Sequence, residues 1–412
     1  MDTAVADIAS EEAVRAEVRA WLAEHWTPGS PRRPFLEAVV DAGWAAPSWP
    51  ERWYGRGLPT ALGRVVDAEF RAVDAPGSAQ DVTNLWAGTV LQYGSDDLKA
   101  RVMRPLLLGD IDMCLLYSEP GAGSDLASIQ TRAVRDGDEW VVNGQKVWTS
   151  GGRQAEYALL ITRTDLDVPK HRGITFFFFP MRQPGVEVRP LRQATGDSRF
   201  NEVFITDARV PHANMLGELN AGWWVLQEAL MYERAVMGVV QKRSGSAKPD
   251  ADRDPTSEAS APIPDLVLTD LARELGRTDD PMIRQALTRL HCMRTVNTWN
   301  GMRARAELKQ GSSSPVASLG KLAMSGILHY AARVQADILG AEALLGGVDS
   351  ARAADCTYAM LNAYFTSIGG GTDQIQRNII GERILGLPKE PEVDKNVPFR
   401  EVRLTPAVAR DR

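Results

Sequence analysis

The sequence predicts an α+β fold, mostly helical, in which two helical domains flank a central β domain. Apolar residues recur at helical spacing over residues 1–110, for example at Val14 and Val18. The spacing changes to the two-residue period of strands over residues 111–216, and it returns to helical spacing over residues 217–390. With 412 residues, 44% of them hydrophobic, the chain can fill the cores of three domains or of one large domain.

The first domain, residues 1–110, is predicted to be helical throughout. Segments rich in proline and glycine, Trp26–Pro34 and Ala46–Pro59, separate its helices, because proline cannot continue a helix and glycine weakens one. After the second break, one helix face repeats at spacings of three and four residues: Leu62, Val65, Val66, Glu69 and Phe70. This face is expected to pack against the core.

The middle domain, residues 111–216, is predicted to be a small β-barrel or sandwich. Runs rich in β-forming residues alternate with breakers at Tyr157–Thr162, Gly173–Phe179, Val186–Val188 and Glu202–Ile205. Asp136-Gly137 and Asn143-Gly144 favour tight turns, so both are predicted to be hairpin turns, one on each side of Glu139–Val142.

The third domain, residues 217–390, is predicted to be a helical bundle. Helical spacing extends over Trp223–Val240, Asp280–Gln310, Val316–Leu345 and Arg352–Ile368. Gln241–Pro264 is rich in Ser, Pro, Asp and Lys and has too little apolar area to offset the entropy of ordering, so it is predicted to be a disordered insertion. Residues 391–412 follow as a tail.

Bulk properties argue against several classes of protein. The net charge of −6, with dispersed positive charges, argues against a nucleic-acid partner. No membrane partner is expected, because the apolar run Ile174–Phe179 is too short to span a bilayer and Met1–Glu12 lacks the apolar core of a signal peptide. Cys114, Cys292 and Cys356 are isolated and odd in number, which favours a cytoplasmic location. The five histidines show no metal-ligand spacing, so no metal site is predicted.

The stretch Tyr117–Asp125 has the composition of a ligand-binding turn. Its Gly-Ala-Gly centre lets another molecule approach the backbone closely, while Ser118, Ser124 and backbone N–H groups offer directional hydrogen bonds. No lysine follows, so it is not a Walker loop. Alone, this composition is also typical of an ordinary turn.

Three further motifs accompany this stretch. They are Gln145-Lys-Val-Trp-Thr-Ser150, Met231-Tyr-Glu-Arg234 and Gly369-Gly-Gly-Thr-Asp-Gln-Ile-Gln-Arg-Asn-Ile-Ile380. In this order and at these separations, the four motifs make the chain resemble the acyl-CoA dehydrogenase superfamily from Trp44 to Pro388. The resemblance implies an α-helical domain, a β domain and a C-terminal helical bundle arranged around a flavin, FAD.

The resemblance also implies which residues bind the flavin and the thioester. Removing two hydrogens from an acyl thioester needs a base, an electron acceptor and donors to the thioester oxygen, and no amino acid is a good hydride acceptor. Cofactor contacts are expected from Leu115, from the Ser118 backbone at the pyrimidine edge, from Trp148 against the ring and from the Ser150 hydroxyl near N5. Ser124 is expected near the pantetheine or phosphate end of the CoA ester. The alternative is an ordinary turn beside a strand with a core tryptophan.

Gly369–Ile380 is predicted to be a glycine-rich loop that leads into a helix. Asp373 has Gln376 three residues later, which is the pattern of a helix cap, and the free N–H groups of a helix start favour an anion. The resemblance implies that Thr372 and Gln374 contact FAD. An ordinary glycine loop before a helix is the alternative.

Gly370 stands where many relatives carry the catalytic glutamate. A glycine accepts no proton, but its N–H can donate to the thioester carbonyl, so Gly370 remains a candidate catalytic residue while the base must lie elsewhere. In isovaleryl- and long-chain acyl-CoA dehydrogenases the base lies on the earlier helix, at the pair that matches Glu233-Arg234. The resemblance therefore implies Glu233 as the base and Arg234 as a substrate-binding candidate.

The helical pattern around Glu233 supports that role independently. One side of the helix carries residues at spacings of three and four: Trp223, Leu226, Leu230, Glu233 and Met237. A carboxylate within a buried apolar stripe loses solvation, which raises its pKa and suits a base near neutral pH. The alternative is a buried structural ion pair, although the adjacent Arg234 points about 100° away.

The sequence departs from the family where the adenine end of FAD is held. Relatives usually present an arginine before an aromatic-Gly pair, whereas here Arg273, Arg277 and Arg284 compete for the contact with the flavin phosphates. The family's Gln-x-x-Gly-Gly segment is replaced by Asp337-Ile-Leu-Gly-Ala341. The adenine end is therefore expected to be held differently.

The first functional hypothesis is FAD-dependent dehydrogenation of an acyl-CoA to the trans-2-enoyl-CoA, with electrons passed to an electron-transfer flavoprotein. The chain looks similar to actinobacterial members that act on bulky or steroid side-chain thioesters. Two alternatives stay open: an acyl-CoA oxidase that uses oxygen, and a non-catalytic subunit of a heteromeric dehydrogenase. The resemblance implies a homotetramer, a homodimer or an α2β2 heterotetramer.

Overall fold

The chain is seen here as a computed structural model that describes residues 2–78, 85–237, 265–309, 316–346, 348–389 and 391–402. It divides into two compact units. The first unit comprises Met1–Leu191, Arg199–Val236 and Val393–Arg412, and the second comprises Arg192–Ser198 and Met237–Glu392. The disordered insertion predicted at Gln241–Pro264 lies outside the described residues.

The first unit begins with helices, as the spacing of apolar residues predicts. Among the described residues these are α1 (Asp2–His25), α2 (Arg32–Asp41), α3 (Thr60–Ala72), α4 (Leu85–Tyr93) and α5 (Asp96–Leu108). The breaks between α1 and α2 and before α3 coincide with the two segments rich in proline and glycine. The Ser95 hydroxyl caps α5 by accepting a hydrogen bond from the Leu98 N–H at 3.2 Å.

The face predicted on α3 is buried, including its one charged residue. Leu62, Val65, Val66 and Phe70 all belong to the core of the first unit. Glu69 is 5% exposed, and its carboxylate accepts a hydrogen bond from Arg19 Nε at 2.6 Å and pairs with Arg15. The hydrogen bond from Arg19 lowers the pKa of the Glu69 carboxyl. Two arginines of α1 therefore explain why a carboxylate can occupy an apolar stripe.

The β domain is one eight-stranded sheet. Its strands are β1 (Met113–Leu116), β2 (Arg132–Asp136), β3 (Glu139–Ser150), β4 (Tyr157–Arg163), β5 (Ile174–Pro180), β6 (Val186–Leu191), β7 (Phe200–Pro211) and β8 (Met215–Leu216). The order is β6-β7-β3-β2-β4-β5-β8, and β1 pairs with β4 in parallel. The pairing brings the end of β1, where the Tyr117–Asp125 turn begins, into the interior of the sheet.

Strand β5 is buried on both faces. Phe176 and Phe178 contribute to the cluster shared with the N-terminal helices, while Phe177 and Phe179 contribute to a second cluster on the other face. Successive side chains of a strand point to opposite faces, so the four consecutive phenylalanines pack alternately into the two clusters.

One of the two predicted hairpin turns is wrong. Asp136-Gly137 does join β2 to β3, but Asn143-Gly144 lies inside β3 at an irregularity in its pairing with β7. The Asn143 amide group donates to Asp207 Oδ1 at 3.0 Å, and its oxygen accepts from the Asp207 N–H at 2.9 Å. A Cβ at Gly144 would lie 2.4 Å from Thr131 Oγ1, so the glycine here serves close packing rather than a turn.

The first unit is completed by a helix and by the chain's tail. Helix α6 (Gly222–Met237) packs Val225, Leu226 and Ala229 into the core shared with the N-terminal helices. The Phe399 N–H donates to the Val168 carbonyl at 2.9 Å, which fixes the tail to the loop before β5.

The second unit consists mainly of helices, as predicted for the bundle. They are α7 (Asp265–Glu274), α8 (Pro281–Lys309), α9 (Val316–Leu339), α10 (Ala351–Ile368) and α11 (Asp373–Ile379). The core of this unit includes Leu268, Ile283, Leu290, Ile327, Val334 and Ile338. Helix α9 ends before the predicted Leu345, because Gly340 adopts a left-handed φ of 59°. Within the described part of the chain, no helix is both long enough and apolar enough to cross a bilayer.

Candidate functional site

The Tyr117–Asp125 stretch forms a tight turn that leaves its glycines accessible. The Glu119 N–H donates to the Ala122 carbonyl, and the Ala122 N–H donates back to the Glu119 carbonyl, both at 3.0 Å. Gly121 and Gly123 are exposed, and a Cβ built on Gly123 would meet no atom within 4 Å. The turn therefore presents open backbone, which permits close approach of another molecule.

A buried ion pair holds this turn to strand β3. The Glu119 carboxylate accepts hydrogen bonds from the N–H groups of Gln130 at 2.6 Å and Thr131 at 2.9 Å, and from Lys146 Nζ at 2.8 Å. Lys146 is fully buried, and its ammonium also donates to the Tyr117 carbonyl at 3.1 Å. The pair satisfies most of its hydrogen-bonding capacity inside the protein, as a buried ion pair requires.

The pKa values of the pair follow from burial and from their mutual attraction. Burial alone raises the pKa of the Glu119 carboxyl, but the charge of Lys146 and the three hydrogen bonds outweigh it, so the pKa is lowered. Burial lowers the pKa of the Lys146 ammonium, and the Glu119 charge only partly opposes that effect. Glu119 is therefore a firmly ionised anchor for the turn.

Further hydrogen bonds align the turn with β3 residue by residue. The Val147 N–H donates to the Ser118 carbonyl at 2.9 Å, and the Thr149 hydroxyl donates to the Leu115 carbonyl at 3.3 Å. The first unit thereby brings Leu115, Ser118 and the 145–150 strand segment together. Ser124 lies exposed near the other end of the turn.

Trp148 occupies strained backbone and points away from the core. Its φ is +62°, in the left-handed region that a tryptophan rarely adopts, and it lies where the pairing of β3 with β7 shifts register. Its side chain is 57% exposed and makes an edge-on contact with Phe200, with 5.8 Å between ring centres. Ser150, two residues later, is also exposed. Strain that turns an aromatic ring outward is typical of a ligand site.

The far end of the turn is also anchored, and the chain's tail takes part. Lys170 Nζ donates to Asp125 Oδ2 at 3.0 Å and to Asp394 Oδ2 at 2.9 Å. Nearby, the buried Arg163 donates to the carbonyls of Ala127 and Lys170, both at 2.5 Å. Both ends of the turn are therefore fixed while its centre stays open.

Helix α6 places the backbone of Glu233 and Arg234 in its last two turns. The side chains of both residues lie outside those described, so the predicted base and substrate contact remain predictions. Further up the helix, Leu226 is fully buried, and Trp223 packs partly buried against the same core, as the predicted stripe requires. Glu228 lies off that stripe, and its carboxylate accepts a hydrogen bond from the Tyr93 hydroxyl.

In the second unit, the glycine-rich motif forms a turn in left-handed backbone. Gly370 has a φ of 66° and Gly371 a φ of 91°, and both values favour glycine. The predicted cap at Asp373 is wrong: the Thr372 hydroxyl caps α11 by accepting a hydrogen bond from the Ile375 N–H at 3.2 Å. The Asp373 carboxylate instead accepts a hydrogen bond from the Ser325 hydroxyl of α9 at 2.8 Å. Gln374 is exposed on the first turn of α11.

The three competing arginines have different surroundings in the second unit. Arg277 donates to Asp280 at 3.1 Å and to the Ile338 carbonyl at 3.4 Å, so its guanidinium is used within the fold. Arg273 is exposed but lies 2.5 Å from Asp270. Arg284 is exposed on α8 and forms no ion pair with any residue that the structure describes. Of the three, Arg284 has the charge most available to a phosphate.

Comparisons with known proteins decide the family. Three family profiles match consecutive parts of the chain: the acyl-CoA dehydrogenase N-terminal domain at residues 2–110, its middle domain at 114–208 and its C-terminal domain at 271–385. Acyl-CoA dehydrogenase IpdE1 of Mycobacterium tuberculosis is 32% identical over 405 residues, which cover 92% of this chain and 98% of IpdE1. The chain belongs to the acyl-CoA dehydrogenase family.

Two further acyl-CoA dehydrogenases extend the comparison. FadE34 of Mycobacterium tuberculosis is 36% identical over 388 residues, which are 93% of this chain but only 50% of FadE34, so the chain spans about half the length of that relative. The solved structure of the Tcur3481-Tcur3483 steroid ACAD is 25% identical with a TM-score of 0.66, covering 93% of this chain and 98% of the matched chain. The predicted family and fold class are confirmed.

The residues present fit the flavin that acyl-CoA dehydrogenases use. Trp148 offers an exposed flat ring, Ser150 an exposed hydroxyl, and the Gly-Ala-Gly centre of the turn an open backbone. These match a flat aromatic ring system with a polar edge. In the described residues, no group of three His, Cys, Asp or Glu side chains is arranged to hold a metal ion.

The ion pair that holds this site together is not evident from the sequence. Glu119 and Lys146 are 27 residues apart, and the resemblance to the family depends on other residues of their motifs. Lys146 and Val147 are adjacent in β3, and both are buried. Strict alternation along a strand would bury only one of the two, so the sequence pattern favours the valine and gives no sign of a buried lysine.

Proposed function

We propose that the chain catalyses FAD-dependent α,β-dehydrogenation of an acyl-CoA thioester and yields the trans-2-enoyl-CoA. The observation that carries the proposal is Trp148, held outward in left-handed backbone beside a turn that is fixed by the Glu119–Lys146 pair. A solvent-facing tryptophan in strained backbone needs a compensating function, and stacking on a flavin supplies one.

The cofactor role is assigned to residues of the first unit. Leu115, Ser118, Trp148 and Ser150 are proposed to hold the flavin ring. Bound FAD would supply the two-electron acceptor that no amino-acid side chain provides. In the second unit, Thr372, Gln374 and an exposed arginine, Arg284 or Arg273, are proposed to contact the cofactor. Because Arg277 is engaged by Asp280, it is the weakest of the three arginine candidates.

Glu233 is proposed to take the α-proton of the thioester. Its carboxylate, on the helix whose preceding turns are buried in the core, would accept the proton as the α C–H bond breaks. The Gly370 N–H is proposed to donate to the thioester carbonyl, which stabilises the developing negative charge on that oxygen. Ser124 and Arg234 are proposed to bind the CoA portion. Electrons are proposed to leave to an electron-transfer flavoprotein.

A bulky acyl group is proposed as the substrate class. The support is the similarity to the Tcur3481-Tcur3483 steroid ACAD, together with glycine at position 370, where a glutamate would occupy more space. Butanoyl-CoA, octanoyl-CoA and the CoA thioester of a steroid with a carboxylated side chain are suitable probes. The proposal expects the steroid thioester to react fastest.

The test is an anaerobic titration of the purified yellow protein with these three thioesters, monitored by flavin absorbance. Loss of the oxidised flavin spectrum with a thioester, and trans-2-enoyl-CoA as product, supports the proposal. A flavin that no thioester reduces contradicts it. Rapid hydrogen peroxide release in air, without any added acceptor, shows an acyl-CoA oxidase instead.

The proposed base is tested by Glu233→Gln. The variant should retain FAD but reduce it about 100-fold more slowly or worse, the scale of a missing general base. Glu228→Gln is the matched control, because it changes the same functional group on the same helix at a carboxylate already bound by Tyr93. Equal reduction rates in Glu233→Gln and the parent would remove Glu233 from the mechanism.

A second candidate function is that of one subunit in a heteromeric acyl-CoA dehydrogenase. Two observations favour it: Gly370 lacks the carboxylate found in many relatives, and the similar steroid ACAD is named for two components. A protein that is colourless alone and binds FAD only with a partner chain would select this candidate. A yellow, active homo-oligomer would exclude it.

A further inference from the structure

Four polar side chains form a continuous hydrogen-bonded line across three helices of the second unit. His329 Nε2 on α9 lies 2.7 Å from the Ser367 hydroxyl on α10, and Ser367 Oγ lies 2.8 Å from Ser325 Oγ on α9. Ser325 Oγ lies 2.8 Å from Asp373 Oδ2 at the start of α11. Lys321 Nζ lies 3.4 Å from the other carboxylate oxygen of Asp373.

The hydrogens along this line can point in one consistent direction. An ionised carboxylate only accepts, so Ser325 donates its single hydrogen to Asp373. Ser367 must then donate to Ser325, in preference to its longer 3.4 Å contact with the Ala363 carbonyl. With its own hydrogen used, the Ser367 oxygen accepts from His329, which must therefore carry a hydrogen on Nε2. The line is a polarised relay from imidazole to carboxylate.

The relay includes one residue just before the glycine turn and one just after it. Ser367 lies two residues before Gly369, and Asp373 follows Thr372 directly. Both side chains meet the same hydroxyl, that of Ser325, which is 1% exposed. The start and the end of the turn are thus tied to one buried atom on a third helix.

The turn needs such a restraint because its own residues supply little. Gly370 and Gly371 carry no side chains, and glycine has the largest conformational freedom to lose on folding. Neighbouring residues of α10 and α11 also contact the turn. Gln376 Nε2 lies 3.4 Å from the Gly370 carbonyl, and the Gly369 N–H donates to the Phe365 carbonyl at 2.7 Å. The relay adds the tertiary restraint.

We propose that Ser325, Ser367, His329 and Asp373 are positioning residues that fix the Gly369–Thr372 turn and thereby aim its backbone N–H groups at the substrate carbonyl. The aiming role rests on the proposed function. The fixing role rests only on the contacts described above. The two roles are separated by measuring the motion of the turn and the rate of flavin reduction in the same variants.

The first measurement is hydrogen–deuterium exchange of the purified holoprotein, followed in peptides that cover residues 366–376. Ser325→Ala removes the shared hydroxyl and is expected to speed exchange of the turn amides by about tenfold or more, because a buried network is opened locally. Ser367→Ala, at a less buried position, is the second variant should Ser325→Ala fold poorly. Unchanged exchange in both variants overturns the proposal.

Ser350→Ala is the matched control. Ser350 caps α10 by accepting from the Ala353 N–H at 3.1 Å, so its loss weakens the same unit at the opposite end of that helix. The control should lower thermal stability yet leave exchange at residues 366–376 at the parental rate. Equal loosening of the turn in Ser350→Ala and Ser325→Ala would show a general loss of stability and overturn the relay.

Two substitutions of His329 test the direction of the relay. His329→Gln keeps an N–H donor for Ser367 and should hold exchange within about threefold of the parent, whereas His329→Leu removes the donor and should match Ser367→Ala. If glutamine loosens the turn as much as leucine, the donor role of His329 is wrong.

The final measurement is anaerobic flavin reduction by whichever of the three thioester probes reduces the parent. Ser325→Ala should lower the limiting reduction rate about tenfold while the half-saturating thioester concentration changes little, because positioning acts on the reacting geometry. A loosened turn with an unchanged rate overturns the aiming role. A parent that no probe reduces overturns the proposed function, while the exchange results still decide whether the relay holds the turn.

Discussion

The two glycine-containing turns of this protein look alike in sequence but use glycine for different physical reasons. In the Tyr117–Asp125 turn, neither Gly121 nor Gly123 has a left-handed φ, and a Cβ would lie 3.9 Å from Gln130 Nε2 at Gly121 and meet open space at Gly123. In the second unit, Gly370 and Gly371 have left-handed φ values of 66° and 91°. The first turn needs glycine for the absence of a side chain, and the second needs it for the conformation of its backbone.

The restraints on the two turns differ as well. The first is held by an ion pair between Glu119 and the fully buried Lys146. The second is held by a line of hydroxyl groups that ends at Asp373, with Lys321 3.4 Å away. Loss of one partner from a buried ion pair leaves an unsolvated charge, whereas loss of one hydroxyl leaves a weaker dipole unsatisfied. Stability should therefore be far more sensitive in the first turn.

The largest effect is expected from Lys146→Met, which leaves the Glu119 carboxylate buried without its counter-ion. The free energy of unfolding should fall by about 3–5 kcal/mol, as for other broken buried pairs, measured by urea denaturation of the apoprotein. The double variant Lys146→Met with Glu119→Gln should recover part of this loss, because no unpaired charge remains buried and the amide oxygen can still accept from the Gln130 and Thr131 N–H groups. A single variant as stable as the parent would show that the pair does not hold the turn.

Glu119→Gln leaves the buried Lys146 ammonium without its counter-ion but keeps an amide oxygen as a hydrogen-bond acceptor. The loss at neutral pH should therefore be smaller than in Lys146→Met, about 2–3 kcal/mol for the charge-assisted hydrogen bonds, and stability should depend less on pH. The pKa of Glu119 is lowered from its ordinary 4.5 by Lys146 and the three hydrogen bonds, despite burial. Its contribution is therefore complete above pH 4.5 and disappears as the pH falls through the folded-state pKa.

Chemical denaturation at a series of acidic pH values tests this dependence. The parent should lose more stability than Glu119→Gln as the solution is acidified, and the two curves should converge. Glu69, whose pKa is also lowered, contributes equally to both proteins and cancels in the comparison. Parallel curves for parent and variant would contradict the assignment.

Two alanine substitutions test whether the two turns need glycine for different reasons. Gly370→Ala should destabilise the fold by about 1–2 kcal/mol, because alanine is unfavourable in left-handed backbone. Gly123→Ala should change stability by less than about 0.5 kcal/mol, since its φ is ordinary and a Cβ would meet open space. Thermal unfolding of the two variants gives the comparison, and equal losses would erase the distinction between the turns.

The sequence could predict what depends on local pattern. The helical spacing of apolar residues predicts α3 and its buried face, including Glu69. The motifs contain the residues that β1 and β3 bring together. Asn143-Gly144 has the local preference of a hairpin turn, but in the structure it lies inside β3, where the Asn143 side chain pairs with Asp207, 64 residues later. A local turn preference carries no information about such a distant partner.

The cap of α11 shows the same limit on a shorter scale. Thr372 and Asp373 are both good capping residues, so their sequence alone does not select one. The selection is tertiary: the Asp373 carboxylate is taken by Ser325, 48 residues earlier, and the hydroxyl of Thr372 is left to cap the helix. In both cases a polar side chain can pair with a near or a distant residue, and the sequence does not show which pairing forms.

A small effect on stability is expected at Trp148, where the left-handed backbone costs stability and the exposed ring is available to a ligand. Trp148→Gly relieves the left-handed φ of +62°, whereas Trp148→Ala keeps it, and the two remove the same exposed ring. The glycine variant should therefore be more stable than the alanine variant by about 0.5–1 kcal/mol in the apoprotein. Both should bind FAD more weakly than the parent, measured by the flavin retained after gel filtration. If the alanine variant keeps its flavin like the parent, the outward ring does not contact the cofactor; if it is as stable as the glycine variant, the backbone at this position carries no strain.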